Sequence, residues 1–186
     1  MSTQPSRYRS ENGVWLIEIE LESVNQLFNS FDPSPFHLKD LDDDAEAWIV
    51  GAARDFPLSA PLKLVLHLPA KEIDRAEEAG PARALASYFG DRLESTRRDL
   101  RYLFRTGRIA LLIGFAFLAA CLALRAFAEA MLHGPLETLL TEGLLIIGWV
   151  AMWRPVEIFL YDWWPLRRMG WVYAKIAAMP VELRAR

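Results

Sequence analysis

The 186-residue chain has a single cysteine, Cys121, and it lies inside an apolar run. No intrachain disulfide can form, so the chain is not a disulfide scaffold, and nothing about redox compartment follows. The common catalytic signatures are missing: there is no Walker A loop, GxGxxG, HExxH, GxSxG or CxxC. The potassium-filter motif TVGYG is absent too, which excludes a two-span channel of that type. Residues 1–30 hold no apolar stretch behind a basic one, so no cleavable signal is expected. There is no internal repeat and no low-complexity segment. Between Ala126 and Thr141 there is no Lys or Arg at all.

The residues that are present are unevenly distributed. Residues 1–96 carry 9 Lys+Arg against 17 Asp+Glu, whereas residues 97–186 carry 12 against 7 and contain nearly all the long apolar runs. With 7 Trp as well, this pattern argues against both a disordered chain and an ordinary soluble domain.

Ile109–Leu124 is sixteen residues without a charge. As a helix it would be about 24 Å long, short of a hydrocarbon core of roughly 30 Å. Continuing to Leu132 supplies the missing length if Arg125 snorkels to the headgroups. A second apolar segment comes after a short HGPLE turn, from Leu136 to Tyr161, and ends in YDWWP, a cluster suited to the headgroup level. The expectation is a transmembrane hairpin over 107–164, with spans at about 108–131 and 137–161. Glu142 would then lie near the outer interface, where Arg125 could approach it. Arg97, Arg98, Arg101, Arg105 and Arg108 precede the first span, and Arg167, Arg168 and Lys175 come after the second. The positive-inside rule therefore predicts both termini in the cytoplasm, with the first span acting as its own insertion signal.

Residues 1–12 read as a flexible N-terminus. The rest of the cytoplasmic part, 13–106, alternates strand and helix signals. VWLIEIEL (Val14–Leu21) and LKLVLHL (Leu62–Leu68) alternate as strands do. Between them Pro33 and Pro35 hold the chain extended, and Leu41–Phe56 reads as a helix with Asp42, Asp43 and Asp44 at its positive end. Beyond Lys71 the pattern is helical, with a break at Gly80–Pro81, and it runs on into the first span. The predicted class is an α+β membrane protein: a two-helix transmembrane hairpin with a small cytoplasmic α/β (β-α-β-α) unit. A strand–helix–strand crossover implies parallel strands. Two strands are too few to stand alone. Either Val181–Arg184, at the end of the C-terminal segment 165–186, returns as a third strand, or sheet edges pair between chains.

The stretches FDPSPFHLKDLDDDAEAWIVGAAR and IFLYDWWPLRRMGWVYAKIAAMPVELR resemble an uncharacterised family of small bacterial two-span inner-membrane proteins with no assigned activity. The resemblance covers most of residues 14–184. It implies the same topology in a bacterial inner (plasma) membrane and carries over no site residue.

Three constellations invite chemistry. Asp32, His37, Asp40, Asp42, Asp43, Asp44 and Glu46 form an acidic patch, but their spacing is not that of a calcium loop, and a solvated helix N-terminus explains them. His67 reads as a packed residue at a sheet edge, and His133 lies in the external turn. In WRPVEIFLYDWW, Arg154 and Glu157 are three apart and can pair, with Tyr161 one further turn along the same face. Pro155 deprives the carbonyl of Ala151 of its helical donor. This face is either a functional intramembrane polar surface or an interfacial charge cluster. Arg97, Arg98, Arg101, Arg105 and Arg108 are candidate lipid-headgroup contacts. Nucleic acid is not expected as a partner of so acidic a cytoplasmic unit. No metal or cofactor site and no catalytic residue is expected.

Together these features point to an interaction or scaffold protein, with the lipid bilayer and either its own copies or a larger membrane complex as partners. The alternative is an oligomeric transport or channel component built around Glu142, Arg154 and Glu157. An enzyme acting on a membrane substrate ranks below both, because no nucleophile–base pair can be named.

Overall fold

A computed structural model describes residues 7–29 and 39–186. Asp32, Pro33, Pro35 and His37 lie outside the described residues, as do residues 1–6. The chain divides into two compact units, Met1–Thr96 together with Arg168–Arg186, and Arg97–Arg167. The C-terminal segment from Arg168 belongs with the N-terminal one.

The first unit is built on a four-stranded sheet in the order β1-β2-β3-β4, with β1 at Ser10–Glu11, β2 at Val14–Glu20, β3 at Leu62–Leu68 and β4 at Val181–Ala185. β2 and β3 run parallel, with Ile17 beside Leu64, and between them the chain forms α1, Asp43–Arg54. Asp42 caps α1 by accepting the amide of Asp44 at 3.0 Å, and Asp43 and Asp44 complement the dipole. After β3 come a 3-10 turn, Ala70–Glu72, and α2, Ile73–Ala79. Gly80 ends α2 in the left-handed region, at φ 65°, and Pro81 opens α3, a helix running unbroken from Pro81 to Met131. β4 adds parallel to β3, with Leu183 beside Leu66. Its attachment makes β3 an interior strand, so His67 is not an edge residue.

Within the segment expected to be flexible, Ser10–Glu11 join the sheet as β1. It pairs antiparallel with β2 through a two-residue turn, Asn12-Gly13, and both of those residues have positive φ (51° and 81°). That is the turn whose twist matches a hairpin, and Asn-Gly is its strongest sequence signal.

Alternation sorts the sheet into two faces. Leu62, Leu64, Leu66 and Leu68 join Ile17 in the main core, packed against Ile49 and Ala53 of α1, Leu85 and Phe89 of α3, and Val172 and Ile176 of α6, Trp163–Ala177. Lys63, Val65 and His67 point the other way. On that face Leu16 and Val65 are buried outside the main core cluster, and charged pairs form beside them. Arg184 on β4 makes a bidentate bond to Glu11 on β1 (2.6 and 2.8 Å), Lys63 donates to Glu182 at 2.8 Å, and His67 Nε2 lies 3.0 Å from Glu18.

The second unit is a helical hairpin. α3 passes through a turn at Gly134, whose φ of 92° suits only glycine, into α4, Pro135–Ala151. A turn at Met152 separates α4 from α5, Trp153–Glu157, and a π-helical segment, Ile158–Asp162, leads into α6. The expected single second-span helix is therefore interrupted twice. The first interruption falls where Pro155 cannot donate to Ala151.

The hairpin closes on small residues. Within this unit the buried positions of α3 are Gly107, Gly114, Cys121 and Ala128, each seven residues apart, and on the returning arm they include Thr141, Gly148 and Pro155, again seven apart. A Cβ on Gly107 would come within 2.7 Å of Ile158 Cγ2, one on Gly114 within 3.1 Å of the Ala151 carbonyl oxygen, and one on Gly148 within 2.8 Å of Leu118 Cδ1. Close approach of backbones through small residues is how helices associate where no hydrophobic effect drives them together. A sustained seven-residue repeat keeps both seams facing only if the helices wrap left-handedly.

Candidate functional site

The polar face of the second arm holds the expected Arg154–Glu157 pair and adds Asp162 to it. Arg154 reaches Glu157 at 3.4 Å and Asp162 at 3.2 Å, and the Trp153 indole donates to Glu157 at 2.8 Å. The π-helical segment inserts between Glu157 and Trp163 and shifts the helical phase of the residues beyond it. Tyr161 is exposed, and Asp162 stands beside Arg154. A π turn also disturbs the regular carbonyl–amide pairing, and the Trp163 indole donates to the Phe159 carbonyl at 2.9 Å. Asp162 is not legible as a partner in the sequence, because at regular helical spacing eight residues place it well off the axis of Arg154.

Arg154 is open on one side, with 62% of its side chain exposed. A basic group flanked by two carboxylates and an indole is a compact charge cluster on the outside of the hairpin. It can hold its own charges together.

Arg97, Arg98, Arg101, Arg105 and Arg108 are all exposed on α3. At 100° per residue they fall within an arc of about 100°, away from the seam through Gly107. Arg108 also donates back to the Phe104 carbonyl at 3.3 Å. Beside this stripe lies a cleft of about 370 Å³, lined by Leu100, Phe104, Phe159, Trp163 and Arg167. Phe104 and Phe159 stack at 6.1 Å, and the Arg167 guanidinium sits 5.5 Å above the Trp163 ring. Aromatic rings with a guanidinium at their edge suit a boundary between apolar and anionic surroundings.

Further out on the hairpin, Arg125 pairs with Glu129 at 2.9 Å, not with Glu142. The i,i+4 partner on its own helix face is nearer than one across the seam. Glu142 and His133 are exposed.

In the other unit the acidic patch separates into parts. Asp42, Asp43 and Asp44 serve the N-terminus of α1, as expected, but Glu46 is not solvated. It is 8% exposed, accepts three N–H bonds from Arg92 at 2.6–2.9 Å, and takes the Tyr88 hydroxyl at 2.6 Å. These bonds pull Arg92 further toward its charged form, while burial, reinforced by the Glu46 carboxylate, pushes the Tyr88 phenol well above its ordinary range. A buried carboxylate fully engaged by a cation and a neutral donor is a structural tie between α1 and α3, not a free base. No group of three or more His, Cys, Asp or Glu among the described residues is arranged to hold a metal ion. Every buried side-chain nitrogen and oxygen among them has a hydrogen-bond partner.

No family model, curated protein or solved structure matches this chain.

Proposed function

We propose that this chain is an integral membrane protein of the bacterial inner membrane, anchored by the α3–α4 hairpin, whose sheet-bearing unit serves as an interaction or scaffold module on the cytoplasmic side. One observation carries the reading. The two helical segments Pro81–Met131 and Pro135–Ala177 are long and apolar enough to cross a bilayer, and only 11% and 17% of their most apolar stretches are buried within the chain. Leu112, Ile113, Phe115, Ile146, Ile147 and Trp149 all face outward. A patch of this extent needs a cover. Lipid is the cover that fits helices whose mutual contact is made by glycine and other small residues.

Three further features support it. The arginine stripe and the Arg167–Trp163 cleft lie just beyond the apolar stretch of α3, the level at which basic and aromatic side chains meet headgroups. The absence of Lys and Arg between the two arms favours cytoplasmic termini. In the Arg154–Glu157–Asp162 cluster the one cation is paired within the cluster and opens outward, which fits an interfacial anchor better than a transport path. The resemblance to small two-span inner-membrane proteins points the same way.

The test is alkaline carbonate extraction of membranes combined with reporters fused after Arg186. Retention in the pellet, with a bright cytoplasm-active reporter and a silent periplasm-active one, is expected. Release by carbonate, or the reverse reporter pattern, would overturn the reading.

A further inference from the structure

The free edge of the sheet is self-complementary. Leu64 donates to the Pro180 carbonyl at 2.9 Å, and Arg186 donates to the Leu68 carbonyl at 3.0 Å. These bonds bracket the β3–β4 ladder and set its phase: Glu182 and Arg184 turn their amides and carbonyls toward β3, while Val181, Leu183 and Ala185 turn theirs to the outer edge. Among the described residues, no backbone group outside the strand pairs with those three. A five-residue strand with its outer groups unpaired is a template for a further strand. The opposite edge is already partly covered by β1.

We infer that β4 pairs antiparallel with β4 of a second copy, centred on Leu183, joining the two sheets into one of eight strands. This rests on the interaction module proposed above and names a second copy of the chain as what it meets. The side-chain pattern selects both the occupant and the register. With Leu183 opposite Leu183 of the second copy, the two exchange both of their outer hydrogen bonds, and Val181 and Ala185 do the same with each other's counterparts. Glu182 then stands opposite Arg184 of the second copy, and Arg184 opposite its Glu182, at the closer, non-hydrogen-bonded positions of the ladder. Both face the side of the sheet where Lys63 and Glu11 already anchor them. Parallel pairing would instead bring like charges together, which is unfavourable. The two-fold arrangement closes on itself, so it yields a dimer and not a filament.

The test uses the full chain in native membranes with Cys121→Ala as background. In the proposed register, residue 181 lies beside residue 185 of the second copy, about 5.5 Å between Cα atoms, within reach of a disulfide. Residue 181 is about 13 Å from its own counterpart, four residues of strand away, and so is residue 185, which is too far. The double variant Val181→Cys/Ala185→Cys should therefore form a cross-linked dimer on mild oxidation, and either single variant should not. In detergent, Ala185→Pro should shift the wild-type dimer to monomer, because it removes an outward amide while leaving every bond to β3 in place. Equal cross-linking of the single and double variants, or a dimer indifferent to Ala185→Pro, would overturn the edge pairing and leave self-association at another surface. A wild type that is monomeric in the membrane would overturn both the edge pairing and self-association. Carbonate release would separately remove the membrane reading.

Discussion

Replacing Gly107 by alanine adds a single methyl group, and in most helices that change is favourable. Alanine is better than glycine in a helix interior by about 0.5–1 kcal/mol. At Gly107 the new Cβ would stand 2.7 Å from Ile158 Cγ2 and 3.2 Å from Phe159 Cζ. Ile158 is fully buried and β-branched, so its χ1 cannot rotate away cheaply. The arms must part instead. Overpacking of this kind costs about 1–3 kcal/mol. After subtracting the propensity gain, the hairpin should lose up to about 2.5 kcal/mol, a shift of its folding equilibrium of up to roughly 70-fold. Gly143 supplies the internal control. It lies on α4 with nothing within 4 Å of an added Cβ, so Gly143→Ala should stabilise by up to about 1 kcal/mol. The two variants carry the same chemical change and are predicted to move in opposite directions. Unfolding in mixed micelles with increasing SDS, followed by circular dichroism, reads the sign directly. If Gly107→Ala stabilises the protein as much as Gly143→Ala does, the small-residue seam does not hold the hairpin.

The other predictions concern the sheet-bearing unit. Glu46→Gln keeps the shape of the α1–α3 tie but removes its charge. It should cost about 1.5–3 kcal/mol, the range for charged hydrogen bonds, and nearer the lower end because 47% of the Arg92 side chain is exposed and can be rehydrated. An unchanged denaturation midpoint for this variant would show that the tie is dispensable. The bond from Arg184, aided by Lys63, holds the Glu182 carboxyl down to about 2, and Arg184 also lowers Glu11. A carboxylate depressed in the folded state stabilises it above its unfolded pKa, and that contribution fades as pH falls through the window from about 4.5 to 2. Arg184→Gln should therefore melt below the wild type at pH 7, with the difference narrowing across that window. A gap constant with pH would refute the assignment.

Much of the architecture is legible in the sequence, because it depends on local periodicity. The alternation of Leu62–Leu68 marks β3 to the residue, Gly80–Pro81 marks the break before α3, and the charge-free run from Ile109 makes a long apolar helix inevitable. The arginine stripe is equally plain, since a helix of known pitch places residues 97–108 without further information. Two further features are present as sequence signals of a different kind. Asn12-Gly13 announces the β1–β2 hairpin by turn chemistry, and the seven-residue recurrence of Gly107, Gly114, Cys121 and Ala128 announces the seam by size, where a search for apolar faces registers nothing.

Only the tertiary structure decides the rest, because it depends on groups far apart in the chain or on a change of helical phase. Glu46 looks like one more carboxylate of a solvated helix start until Tyr88 and Arg92, more than forty residues away, close over it. Asp162 joins Arg154 only because the π turn moves it there. β4 becomes the edge of the sheet only when the C-terminal helix returns it to β3. That last placement turns an unremarkable VELRA into a strand with one face of its backbone unpaired. Local propensity can say that five residues will extend, but which of their hydrogen bonds remain open is set by the neighbour they find.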